Sequence, residues 1–181
     1  EIWCQLFSEP SAGSDVAGLR SKAVQNGDKW IVNGQKVWTS GAHFADFGIL
    51  VVRHDPNIEK HKGMTFFFVD MKSPGIEVKP IKQITGGSSF NEVYFTDVEI
   101  PDSQRLGEIG DGWKVAITTL MNERLAVGDA DGADVEDAFR WAKKQDNLGE
   151  PLLNNQAARE SIADWYCEKS GLKNTKLRKM S

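Results

Sequence analysis

The sequence predicts a chain of mixed class with its β and α parts in separate domains: an antiparallel β-barrel or sandwich, followed by part of a helical bundle. Three observations carry this. From Trp3 to about Ile100, short β-branched and aromatic runs alternate with turn signals. After Pro101 the apolar residues recur at three-and-four spacing. The 181 residues suffice for one substantial core, or for one domain and part of another. We place the β domain at residues 1–105 and the helical part at 106–181.

Taken in order, Asn26-Gly27 and Asn33-Gly34 are the clearest turns. Residues 29–32 and 35–39 flank the second, which predicts a tight hairpin with a primed turn there. Residues 47–53, 64–70, 76–79 and 92–98 read as further strands. The first two of these are almost continuously apolar, as strands buried on both faces are. The charged stretch 54–63 is expected to be a mobile, solvent-facing loop. Asp111 is placed to cap a helix from Gly112, with Ala116, Leu120, Glu123 and Val127 on one face. Residues 134–144 and 155–167 predict two more helices, joined through a turn at 148–152. Residues 169–181 read as a helix end or frayed tail.

Composition excludes several function classes. A net charge of -4 gives no basic face to displace counterions from nucleic acid. Apolar runs such as 47–52 and 64–69 are too short to span a bilayer. Cys4 and Cys167 stand far apart, and without a secretory leader a reducing, intracellular compartment is the simpler expectation. His43, His54 and His61 have no spacing to Cys or carboxylates that makes a metal site. Gly86-Gly87 precedes a strand rather than a helix, so it is no phosphate loop. Because the chain opens at Glu1 in a strand-like segment, it is expected to be a fragment of something larger.

Two hydroxyl-rich, glycine-containing bends stand at strand ends: Ser8-Glu9-Pro10-Ser11-Ala12-Gly13-Ser14-Asp15 and Val37-Trp38-Thr39-Ser40-Gly41. Gly13 lets backbone approach a ligand, the hydroxyls offer small donors and acceptors, and Trp38 offers a flat apolar wall. By themselves the same residues also compose a capped turn, a strand end and a core tryptophan. Their wording resembles the flavin-binding signature of the acyl-CoA dehydrogenases. A second stretch, Thr85-Gly86-Gly87-Ser88-Ser89-Phe90-Asn91-Glu92-Val93-Tyr94-Phe95-Thr96-Asp97-Val98-Glu99-Ile100-Pro101, with Leu106-Gly107 and Gly112-Trp113, is similar to that family's passage from middle β domain to C-terminal helical domain.

The resemblance implies FAD, an acyl-CoA substrate, α,β-dehydrogenation and an electron-transfer flavoprotein as acceptor, with an oxidase or a non-catalytic subunit as alternatives. It also implies an absent N-terminal helical domain, a homo- or hetero-oligomer, and a cytoplasmic or mitochondrial-matrix location. By motif, Leu6, Phe7 and Ser8 would hold the flavin's pyrimidine edge; Trp38, Thr39 and Ser40 would form the second turn, with Trp38 against the ring and Ser40 near N5. Ser14 and Arg124 match substrate-side positions. Glu123, on the apolar helix face and followed by Arg124, matches the catalytic base of one branch of the family; in the commoner branch the resemblance implies a base from a later helix that this chain lacks, and Glu123 is then a structural ion pair or a CoA-side contact. An arginine that family members often carry to reach a partner subunit's FAD is missing, the region reading Gln145-Asp146-Asn147-Leu148-Gly149.

Overall fold

The computed structural model describes residues 1–127, 134–144 and 149–180. Eight strands form one sheet: β1 (Trp3–Leu6), β2 (Lys22–Asn26), β3 (Lys29–Ser40), β4 (Phe47–Arg53), β5 (Met64–Asp70), β6 (Ile76–Pro80), β7 (Phe90–Pro101) and β8 (Arg105–Leu106). Their order is β6-β7-β3-β2-β4-β5-β8, with β1 paired to β4. Three α-helices follow: α1 (Gly112–Val127), α2 (Val135–Ala142) and α3 (Gln156–Met180). The chain divides into two compact units, Glu1–Met121 and Asn122–Ser181, the division falling within α1.

Both faces of β4 and β5 are covered, which explains their unbroken apolar runs. Leu50, Val52, Phe67 and Val69 enter one core with Leu6, Trp30, Val32, Val93 and Ile100. Their neighbours Val51, Met64 and Phe66 enter a second core with Phe7, Ala17, Leu19 and Ala116. Ala116 comes from α1, and Trp113, Val115 and Leu120 pack against the same cluster. Burying each of these large side chains contributes roughly 1.5–3 kcal/mol, so the two cores hold the strand ends that carry the bends.

The sheet departs from expectation in its hairpin and in two parallel pairings. The hairpin closes at Gly27-Asp28, where Asn26 pairs with Lys29 and Gly27 takes φ +64. Asn33-Gly34 is no turn; β3 runs straight through it. The Asn33 amide Nδ2 donates to Asp97 Oδ1 and the Asp97 N–H donates to Asn33 Oδ1, both at 2.9 Å, which ties the dipeptide into a bulge with β7. A Cβ on Gly34 would stand 2.3 Å from Ser21 Oγ, so glycine here serves close strand passage. Otherwise antiparallel, the sheet has a parallel β1 and β4 pair and a single parallel Lys22 and Arg53 pair.

The loop at 55–62 is largely exposed, yet tethered: Arg53 donates to the carbonyls of Ala17, Leu19 and Lys60, and Lys60 pairs with Asp15 at 2.8 Å. Ahead of α1, the Asp111 carboxylate turns back to the Glu108 N–H instead of capping forward. Asp134 caps α2 by accepting from the Glu136 N–H, and Asn155 caps α3 by accepting from the Ala158 N–H. Residues 169–180, expected as a helix end or frayed tail, continue α3. The 145–149 region and the start of the 148–152 turn lie outside the described residues up to Leu148. Cys4 is buried and Cys167 exposed, and both are free thiols. No described helix is long and apolar enough to cross a membrane.

Candidate functional site

The two hydroxyl-bearing bends lie side by side. Beyond β1, the Ser8 carbonyl accepts from the Val37 N–H at 2.9 Å. One residue earlier, the Phe7 carbonyl accepts from Lys36 Nζ at 3.1 Å. At this point β3 bulges: Lys36 pairs with Val93 and Thr39 with Asn91, so two residues of β3 oppose one of β7. Trp38 takes φ +60 in the bulge, a left-handed conformation that costs a bulky residue about 1–3 kcal/mol. The bulge turns Trp38 out, 60% exposed, with its ring edge-on to Phe90 at 6.2 Å. Thr39 turns in and Ser40 out. Trp38 is therefore a surface wall and no core tryptophan. Gly41, at φ +66, ends the bend beneath the Phe44 ring.

Beneath the bends sits a buried ion pair. Lys36 is fully buried and Glu9 nearly so, with Nζ to Oε1 at 2.8 Å. Oε1 also accepts from the Ser21 N–H at 3.0 Å and Oε2 from the Arg20 N–H at 2.6 Å. Burial opposes the Glu9 charge, but the Lys36 ammonium and the two backbone donors outweigh it and hold the carboxyl below its usual range. Burial pulls the Lys36 ammonium down to about 8, against the attraction of Glu9. The mutual attraction of the two groups favours the ionised form of each.

A cleft of about 420 Å³ adjoins the second bend, lined by Ser40, Gly41, His43, Phe44, Ser88 and Ser89. His43 Nδ1 lies 3.1 Å from Asn91 Oδ1, and Asn91 Nδ2 donates to the Thr39 carbonyl at 2.9 Å. This orients the Asn91 oxygen toward His43 and makes Nδ1 the protonated nitrogen. Thr39 Oγ1 is the exception in an otherwise satisfied site. It is buried, and among the described residues it has no hydrogen-bond partner. A buried hydroxyl without a partner costs stability, so one at a binding bend marks a place for a ligand atom or a water.

Residues 4–98 match the family model of the acyl-CoA dehydrogenase middle domain, and residues 110–181 that of its C-terminal domain. The chain belongs to the acyl-CoA dehydrogenase family. FadE34, an acyl-CoA dehydrogenase of Mycobacterium tuberculosis, is 49% identical over 165 residues, 86% of this chain and 23% of its own length. Among solved structures, the G363A variant of the Tcur3481-Tcur3483 steroid acyl-CoA dehydrogenase is similar with a TM-score of 0.79 at 34% identity, covering 97% of this chain and 44% of that one. The ChsE4-ChsE5 complex from Mycobacterium tuberculosis follows with a TM-score of 0.76 at 29% identity, covering 97% and 46%. The chain thus spans less than half the length of each.

For an acyl-CoA dehydrogenase, an oxidoreductase family of flavoproteins, the bends present groups that fit a flavin: the orphaned Thr39 hydroxyl, the outward Trp38 indole and the Ser8 and Ser40 hydroxyls. Leu6 and Phe7 turn their side chains into the two cores, and the Phe7 carbonyl is held by Lys36. Ser14 is exposed on the loop after the first bend. Glu123 and Arg124 are exposed on α1. The burial that helix-face reasoning expects for Glu123 is thus not found: Ala116 is buried and Leu120 half-buried, whereas Met121 and Asn122 are exposed too, and the Val127 side chain lies outside the described residues. Sequence reasoning passed over Lys36, Glu9 and His43 as parts of the site. For Lys36 a signal existed, since Trp30, Val32, Gly34 and Lys36 fall on alternate positions of one strand and share its inward parity.

Proposed function

We propose that this chain is the flavin-holding β domain (residues 1–105) and the opening of the C-terminal helical domain (106–181) of a FAD-dependent acyl-CoA dehydrogenase that desaturates an acyl-CoA thioester between its α and β carbons. The observation that carries the reading is the pairing of the two bends, with Val37 N–H on the Ser8 carbonyl and an unpartnered Thr39 hydroxyl beside an outward indole. When bound, FAD supplies a hydride acceptor at N5. The backbone of Leu6 to Ser8 and the Ser8 hydroxyl would bind the pyrimidine edge, and Trp38, Thr39 and Ser40 would form the second turn, with Trp38 against the ring and Ser40 near N5. Ser14 and Arg124 contact the acyl-CoA. Glu123 takes the α-proton; since it is exposed in this chain, that role requires bound substrate to shield its carboxylate from water. An electron-transfer flavoprotein then accepts the electrons.

A second reading, a non-catalytic subunit of a mixed oligomer, is favoured by the likeness to a two-component complex and by the absence of arginine from residues 145–149. Absorbance separates the two. Full-length protein purified under mild conditions is expected to be yellow with oxidised flavin, and Glu123→Gln is expected to keep the colour while acyl-CoA no longer bleaches it. Colourless protein would establish the second reading, and wild-type bleaching in the variant would move the base to another residue.

A further inference from the structure

The Glu9 and Lys36 pair is the most deeply buried charge in the described residues, and it lies directly under the bends. Pairs of this kind add little stability over apolar residues of equal volume, because both ions must be stripped of water. What this pair does is geometric. Glu9 accepts from Arg20, Ser21 and Lys36, and so fastens the first bend to the entry of β2 and to β3 at once. Lys36 adds the Phe7 carbonyl, and its neighbour Val37 adds the Ser8 carbonyl. Among the described residues, every polar tie between the two bends therefore passes through Lys36 or the residue after it.

The contact to Phe7 has an electronic side as well. That carbonyl shares its peptide group with the Ser8 N–H. A fully buried ammonium 3.1 Å from the oxygen draws density through the amide and makes the N–H a stronger donor. Reduction of a flavin places negative charge on its pyrimidine half, where a stronger donor favours the reduced form.

We propose that Glu9 and Lys36 are positioning residues that set the spacing of the two bends and, through the Phe7-Ser8 peptide, raise the reduction potential of the flavin held there. This rests on the flavin site proposed above. Lys36 acts as the fixed charge, and Glu9 keeps it ionised and in place.

The test is spectroelectrochemical titration of the full-length enzyme, with FAD affinity measured alongside, for wild type, Lys36→Met, Glu9→Gln and the double variant. All three variants are expected to bind FAD more weakly and to have a midpoint potential more negative by about 30 mV or more, equivalent to a tenfold change in a two-electron equilibrium constant. Lys29→Met, which breaks only the exposed pair with Glu99, is the control and keeps the wild-type potential. Should either single variant fail to fold, the double variant decides, because it leaves no unpaired charge in the interior. A flavin-bound double variant with wild-type potential and affinity overturns the proposal. A wild-type protein that takes up no flavin instead removes the flavin reading beneath it.

Discussion

At the scale of single residues, Thr39 offers a test in which the sign of the effect changes with occupancy. Its hydroxyl is buried and, among the described residues, unpartnered, a cost of about 1–3 kcal/mol that an isosteric apolar side chain does not incur. Thr39→Val is therefore expected to leave the unfolding midpoint of flavin-free protein unchanged or raised. In the proposed flavin complex the hydroxyl gains a partner, and the same variant is expected to weaken FAD binding about tenfold, near 1.4 kcal/mol. Calorimetry on the flavin-free form and fluorescence titration with FAD measure the two halves. A clear destabilisation of flavin-free Thr39→Val would mean that an ordered water already satisfies the group. The site's composition is written in the sequence because hydroxyls, glycine and tryptophan are local facts. The Glu9 and Lys36 pairing is not, since it joins residues 27 apart whose meeting depends on the whole sheet.

At the scale of elements, the join between β3 and β7 depends on Asp102. Its carboxylate accepts from Trp30 Nε1 at 2.7 Å and from Arg105 Nε at 2.9 Å, locking the start of β3 to the turn after β7. The Arg105 hydrogen bond, with that of Trp30 second, brings the carboxyl from its ordinary 3.8 down to about 2. A folded-state value below the unfolded one means a contribution fully present above pH 3.8 and lost as pH falls toward 2. The stability gap between wild type and Asp102→Asn, read from urea unfolding, is expected to be constant from pH 7 to about 4 and to close between about 4 and 2. A gap that persists at pH 2 would assign the effect to shape rather than charge. The same join shows which elements local sequence can specify. Strands β4 and β5 fall on residues 47–53 and 64–70 as expected because burial on two faces leaves an unbroken apolar run. The hairpin was open to misplacement because Asn26-Gly27 and Asn33-Gly34 carry identical turn chemistry, and only Asp97, 64 residues beyond Asn33, selects between them. The parallel pairing of β1 with β4 likewise has no local signal.

At the scale of the molecule, the two units differ in how much they bury. Unit Glu1–Met121 contains both cores, whereas among the described residues of unit Asn122–Ser181 only Val135 and Ala142 are buried apolar side chains. Phe139, Trp141, Tyr166, Leu172 and Leu177 are exposed, on helices α2 and α3. Helices gain most of their stability in proteins from packing one apolar face, and a helix left with that face in water opens locally at little cost. Native-state hydrogen exchange on the 181-residue chain is therefore expected to show its slowest amides in β3, β4 and β5, with those of α3 exchanging at least a hundredfold faster. Exchange in α3 as slow as in β4 would show that its apolar face is covered in solution, and dilution then decides by what: protection that falls with protein concentration points to a second copy of the chain, since apolar patches of this kind drive association.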